Sequence, residues 1–307
     1  MNIIATIIGI ALGGGTFFLW NINPAPSPSP SLSIDFARVA PAFILPVSQT
    51  TYVPVRDFGI PDPEIQARAA VLVDANSGRV LYDRASRTRL PIASITKLMT
   101  AMVVLDQLDL NASYSATPED LNVDGNGADL LVSEKFRGIE LLRLMLIASS
   151  NDAASVFSTS ARNQGIDIVV AMNEKSRALG MTETHFEDPA GLHDQGTYST
   201  AFDVALLVKA AAKYKLIGEI LNMKTADIDS SHRKGRHIIA TNQLLNSISG
   251  IVLGKTGNTT GALGTMALYV EVGTSGDGLI SVVLGSEDRF GDTTTIINWG
   301  KRAHIWN

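Results

Sequence analysis

The chain contains no cysteine. Disulfides, thiol nucleophiles and thiolate zinc sites are therefore excluded, although the compartment stays open. Histidine is scarce. The five residues at 185, 193, 232, 237 and 304 form no H-E-x-x-H pair, so zinc catalysis of that kind finds no support. A G-x-S-x-G elbow is also missing: GTSGDG places Asp277 where the second glycine belongs. Basic residues are in deficit, with 25 Lys and Arg against 30 Asp and Glu, a net charge of −5. That balance argues against a nucleic-acid binder, which usually carries a basic surface. No cofactor and no metal is expected. What remains is an ordinary globular composition, 45% hydrophobic over 307 residues, long enough for a sizeable core.

Positive charge is absent from the first part of the chain, where Arg38 is the first basic side chain. Residues 3–20, IIATIIGIALGGGTFFLW, are uncharged and nearly all apolar. They are about as long as a membrane-spanning helix requires. No clean A-x-A cleavage site follows, so the reading is an uncleaved anchor over residues 1–22 rather than a cleaved signal. NPAPSPSPSLS (23–33) begins a Pro/Ser-rich spacer and irregular lead-in that extends to residue 66. Anchor and spacer together place the globular part, 67–307, on the extracytoplasmic face of a cell membrane.

Within that part, RAAVLVD (68–74) and RVLYD (79–83) are β-prone runs around the turn ANSG, which predicts a hairpin. Helical spacing covers 94–108, 134–150, 167–180 and 199–214. Gly180 suits a helix C-cap, and Thr200 with Asp203 has capping-box spacing. Strands are expected at 251–257, 265–272 and 279–286, then a closing helix over 293–306. Strands, helices, strands and a helix make an α+β pattern. An antiparallel sheet draws on both ends of the chain around a helical insert.

One helix raises a chemical question. In PIASITKLMTAMVVL (91–105), Lys97 opens a segment that is otherwise apolar on almost every side, and Ser94 stands one turn earlier. Positions i and i+3 share a helix face. Burial disfavours the ammonium and lowers the lysine pKa, and a neutral amine beside a hydroxyl is a general base beside a nucleophile. Taken alone, the pair also reads as a helix cap with a snorkelling lysine. A second S-x-x-K, Ser231 and Lys234 in SSHRKGRH, has no apolar helix behind it. That basic stretch, 231–237, is read as a solvated loop.

Two more motifs follow in order. Ser149 and Asn151 succeed the apolar segment ELLRLMLIA, and Lys255-Thr256-Gly257 succeeds IVLG. S-x-x-K, S-x-N and K-T-G together are the signature set of penicillin-recognising serine enzymes. The chain resembles the low-molecular-mass penicillin-binding proteins of the D-alanyl-D-alanine carboxypeptidase type. The likeness runs from about Ala69 to Trp299 and includes VDANSGRVLY, SSNDAA, MNEKSRALGMTETHFEDPAGL, TNQLL and GKTGNT. It implies a β-lactamase/transpeptidase-like fold, with a five-stranded antiparallel sheet flanked by helices. It further implies Ser94 as nucleophile, Lys97 as its base and Ser149 as a proton relay. Asn151, Lys255, Thr256, Gly257 and Asn258 would bind substrate, with the Ser94 and Asn258 amides as oxyanion hole. The implied partners are peptidoglycan stem peptides, with β-lactams as covalent inhibitors and the membrane held by the N-terminal segment.

Two departures limit the carry-over. Thr241 stands where many carboxypeptidases have arginine, and the chain lacks the family's frequent C-terminal β-domain and tail anchor. A DD-endopeptidase therefore remains the alternative to a carboxypeptidase. A β-lactamase fits less well, because Glu187 lies in Glu-Asp-Pro-Ala-Gly and not in Glu-x-x-Leu-Asn. A non-catalytic β-lactam sensor would need an inner signalling domain, for which residues 1 and 2 leave no room.

Overall fold

The apolar runs from both ends of the chain fold into one sheet. The structure, a computed structural model, describes residues 53–125, 127–272 and 277–306. The expected anchor and the Pro/Ser run lie outside those residues, as does most of the expected GTSGDG turn. Thr50–Asn307 forms one compact unit.

Its elements begin with β1 (Val55–Arg56), β2 (Ala69–Asp74) and β3 (Val80–Arg84). A 3-10 turn, Ala93–Ile95, leads into α1 (Thr96–Gln107). Then come β4 (Ser113–Ser115), β5 (Lys135–Arg137), α2 (Gly138–Ile147), α3 (Asn151–Arg162), α4 (Ile168–Ala178), α5 (Ala201–Ala211) and α6 (Lys215–Leu221). The chain closes with β6 (Thr225–Ile228), β7 (Arg236–Ile239), β8 (Ile251–Thr259), β9 (Leu263–Val272), β10 (Asp277–Ser286), α7 (Arg289–Ala303) and β11 (His304–Ile305). The main sheet has the order β3-β2-β10-β9-β8 and is antiparallel throughout. The expected α+β arrangement with a helical insert is what forms.

Two-residue alternation sorts the strand side chains between two cores. Ala69, Val71 and Val73 join Ile280, Val282 and Leu284 under α1, α2, α3 and α5. Ala70 and Leu72 join Met266, Leu268 and Leu279 under α7, against Ile296, Ile297 and Trp299. Helices cover both faces, so every residue of β2 is buried. Helix α1 lies in the first core, with all residues from Thr96 to Val104 buried. That is the environment expected of a helix apolar all round. Thr200 caps α5 by accepting from the Asp203 amide at 3.0 Å. The Asp203 carboxylate does not return the bond as a capping box would. It accepts from the Glu183 amide and the Thr184 hydroxyl, both at 2.9 Å, and so pins the preceding loop.

Two segments are more ordered than their sequences suggest. From residue 53 the lead-in belongs to the fold: Val55 and Arg56 pair with Ile305 and His304. Trp299 explains this. It is 2% exposed, its indole N–H donates to the Pro61 carbonyl at 2.7 Å, and the Arg56 guanidinium lies 4.8 Å from the ring centroid. The basic stretch 231–237 is likewise not all solvated loop. Ser231 and Lys234 are exposed in a turn, but Arg236 starts β7 and is 8% exposed. Its guanidinium donates to both oxygens of the fully buried Glu134, at 3.0 and 3.1 Å. A charge enters the interior only with such a partner.

Trp299→Ala should remove the surface that holds the lead-in. The expected loss is about 3–5 kcal/mol of unfolding free energy, read from urea denaturation. A loss near zero would mean that lead-in and α7 are not packed as described.

Candidate active site

Ser94 lies in the 3-10 turn just ahead of α1, not in the helix proper. The turn is entered through Ala93, whose φ of 48° is unusual for a residue with a side chain. Lys97, in the first turn of α1, has no exposed surface. Its amine reaches three acceptors: Ser94 Oγ at 2.9 Å, Asn151 Oδ1 at 2.7 Å and the Ala190 carbonyl at 3.0 Å. Burial lowers its pKa to about 7, against the opposing pull of the Asp188 and Asp152 carboxylates. An amine that is half neutral near pH 7 and touches a hydroxyl can take that hydroxyl's proton.

The second motif sits where α2 gives way to α3. Ser149 occupies the junction with φ 62°, Ser150 caps α3, and Asn151 is the first residue of that helix. The Asn151 amide therefore points two ways: its oxygen accepts from Lys97 and its nitrogen donates to the Asp124 carbonyl at 2.7 Å. Ser149 Oγ accepts from Lys255 at 2.8 Å. Lys255 lies in the middle of β8, the outer strand of the sheet, and is 1% exposed. Burial, then Lys97, then Arg289 push its pKa well below that of an ordinary lysine.

Thr256 Oγ1 lies 2.7 Å from Thr241 Oγ1, so the residue that replaces the family's arginine makes a hydroxyl pair with the third motif. Gly257 acts differently from expectation. A Cβ there would come within 2.5 Å of Thr265 Oγ1 and 2.9 Å of both the Ala93 side chain and the Ser94 amide nitrogen. The space the glycine frees is thus taken by the protein's own Ala93–Ser94 turn, which packs directly on β8. Asn258 follows along the strand, opposite Gly264, with its side chain exposed.

Two hydrogen-bonded groups therefore form, Ser94–Lys97–Asn151 and Ser149–Lys255, with Thr256, Gly257 and Asn258 continuing along β8. Ser231 and Lys234 stay apart, and Lys234 is paired with Asp229 at 3.2 Å. Glu187 is exposed. The next residue, Asp188, is the one that reaches the site. It is 8% exposed, and its carboxylate accepts from the amides of Ala190, Gly191, Leu192 and His193. Neither Asp188 nor Arg289 was among the expected site residues. Asp-Pro-x-Gly is turn chemistry and would have marked a tight loop, but not the loop's contact with Lys97.

A direct consequence is spectroscopic. Lysine side-chain carbon NMR should show a resonance titrating at about 7, absent from a Lys97→Met protein. In Asp152→Asn the titration should move lower still, because that carboxylate supports the ammonium. A Lys97 resonance titrating with the surface lysines would contradict this account.

A family model described as D-alanyl-D-alanine carboxypeptidase matches residues 57–288. A D-alanyl-D-alanine carboxypeptidase of Mycobacterium tuberculosis is 31% identical over 253 residues, 78% of this chain and 84% of the relative. A D-alanyl-D-alanine endopeptidase of Pseudomonas aeruginosa is 32% identical over 255 residues, 80% of this chain and 81% of the relative. The match to a Bacillus subtilis D-alanyl-D-alanine carboxypeptidase, 30% identical, covers only 51% of that longer relative. Among solved structures, a D-alanyl-D-alanine carboxypeptidase from Mycobacterium tuberculosis superposes with a TM-score of 0.72 at 29% identity. It covers 82% of this chain and 99% of the other.

Proposed function

The chain belongs to the D-alanyl-D-alanine carboxypeptidase family, and from that premise we propose that it removes the terminal D-alanine of peptidoglycan stem peptides through an acyl-enzyme on Ser94. The observation that carries this reading is the buried Lys97 amine 2.9 Å from the Ser94 hydroxyl. The neutral amine accepts the hydroxyl proton while Ser94 Oγ attacks the carbonyl of the D-Ala-D-Ala bond. The Ser94 and Asn258 amides hold the oxyanion, a term usually among the largest in acyl transfer. Ser149, bonded to Lys255, relays the proton to the departing amine. Water then cleaves the ester.

Thr256, paired with Thr241, receives the substrate carboxylate, with Lys255 and Arg289 behind it. In the free enzyme Lys255 is a buried amine beside Lys97 and Arg289, with no carboxylate partner among the described residues, and burial above all depresses its pKa. An incoming carboxylate reverses that balance and favours the ammonium. Substrate binding should therefore take up a proton at a pH between the lowered value of Lys255 and its ordinary one. Calorimetry on Ser94→Ala with a D-Ala-D-Ala peptide, in two buffers of different ionisation enthalpy, measures that uptake. Equal heats in both buffers would remove Lys255 as the titrating partner.

Endopeptidase action on D-Ala cross-links is the second reading. It is favoured by the hydroxyl at Thr241 and by the similarity to the Pseudomonas relative. For location we propose the extracytoplasmic face of a membrane, tethered by residues 3–20. Their uncharged apolar sequence supports this, and they lie outside the described residues. Among the described residues no helix is long and apolar enough to cross a membrane.

Intact-protein mass after addition of a penicillin tests the proposal. A persistent adduct equal to the drug is expected on the wild type and not on Ser94→Ala. Rapid consumption of the drug without an adduct would indicate a β-lactamase instead. Release of D-alanine from pentapeptide, set against cleavage of cross-linked muropeptide, decides between the two peptidase activities.

A further inference from the structure

The amine of Lys97 has three neighbours and, when neutral, only two N–H bonds and one lone pair. Asn151 Oδ1 and the Ala190 carbonyl can only accept, so they take the two N–H bonds. The lone pair is left facing Ser94 Oγ. Without the Ala190 carbonyl only the Asn151 contact would fix the amine's rotation, and the lone pair and the second N–H could exchange places, so the lone pair would face the hydroxyl only part of the time. The position of one backbone carbonyl thus bears on whether this base can act.

That carbonyl lies in a loop gripped by one buried carboxylate. Asp188 Oδ1 accepts from the amides of Ala190 at 2.7 Å, Gly191 at 2.6 Å and Leu192 at 3.1 Å. Oδ2 accepts from Leu192 at 3.0 Å and His193 at 3.1 Å, with the Thr197 hydroxyl at 3.4 Å. Two further contacts clamp the loop to the nucleophile helix. Thr100 Oγ1 donates to the Pro189 carbonyl at 2.6 Å. Gly191, at φ 79°, lies so close to the Ala93 carbonyl that a Cβ would sit 2.1 Å from its oxygen. No side chain fits there, and few would tolerate that backbone.

We infer that Asp188 is a positioning residue for the acylation step: by gripping the amides of 190–193 it holds the Ala190 carbonyl against the Lys97 amine and so aims the lone pair at Ser94. The inference rests on Lys97 being the base, as proposed above. Proton balance is kept: the Ser94 O–H bond breaks, the proton passes to the Lys97 nitrogen, and the resulting ammonium keeps all three contacts. The carboxylate also favours that ammonium at a distance. Burial works against the charge on Asp188, but the four loop amides outweigh it and keep the group ionised. The other charged groups around Lys97 are Asp152 on α3 and Lys255 on β8, with Arg289 beyond Lys255. His193 Nδ1 lies 3.2 Å from Asp188 on the solvent side.

The test is the pH dependence of acylation by a fluorescent penicillin in the full chain, per titrated active site, for wild type and Asp188→Asn. The amide has one acceptor oxygen in place of two and no charge. Acylation on the plateau should slow by about ten- to a hundredfold. The acid limb should move to lower pH, because loss of the negative charge lets Lys97 stay neutral in more acid solution. A merely structural role would lower the number of active sites and leave both quantities unchanged. An unchanged rate per site, or an unmoved limb, overturns the inference. If Asp188→Asn does not fold, Thr100→Val decides. It releases the Pro189 carbonyl without altering charge, so acylation should slow with the limb in place, and an unchanged rate overturns the inference. Failure of the wild type to acylate at all would instead count against the proposed function.

Discussion

Two lysine ammonium groups would be intolerable this deep in a protein if both carried charge, and the site is organised around that constraint. Lys97 and Lys255 are almost wholly removed from water, and Lys97 lies close enough to lower the proton affinity of Lys255. The burial that lowers the pKa of Lys97 requires α1 to be apolar on nearly all sides. It also requires the sheet beneath and the helical insert above. The insert supplies Asn151 and Ser149, and the sheet supplies Lys255. Remove any layer and water returns to the amine, whose ordinary pKa would leave it charged and inert as a base near neutrality.

The reactive end of the site stores backbone strain. Ala93 and Ser149 both adopt positive φ; Ala93 precedes Ser94, and Ser149 itself accepts from Lys255. Such conformations cost about 1–3 kcal/mol and persist only where the surroundings enforce them. At Ala93, Gly257 and Gly191 do the enforcing. Each brings main chain so near the Ala93–Ser94 peptide that a methyl group would collide. The Ala93–Ser94 turn is held between β8 on one side and the Asp188 loop on the other.

Much of this was legible in the sequence, for identifiable reasons. The core strands and α1 are long apolar runs with clear edges, and burial on both faces of the sheet follows from them. Ser94, Lys97, Ser149, Asn151 and Lys255 were legible because their spacing forms an ordered set of motifs. Asp188 was not. A single aspartate in a turn has no periodicity, and its effect passes through a carbonyl that any residue at 190 would supply. Arg236 was misread because its neighbours are basic and polar, while its partner Glu134 lies far away in sequence. The lead-in was misread because prolines suggested a spacer, whereas Trp299 uses the Pro61 carbonyl as an acceptor.

The order of the strands has a consequence for the life of the molecule before it is finished. Leu72 pairs with Ser281 and Val71 with Val282, so the middle of the sheet joins segments from opposite ends of the domain. Contacts that distant form late, because closing a long loop precedes any gain from the pairing. Lys255 and the strand that packs on Ser94 also belong to the late segment. A chain still being synthesised therefore has Ser94 and Lys97 but no desolvated cavity around them, and the lysine remains an ordinary ammonium. The desolvation is complete only when the last strands dock. The topology by itself leaves Ser94 and Lys97 in water until those strands arrive.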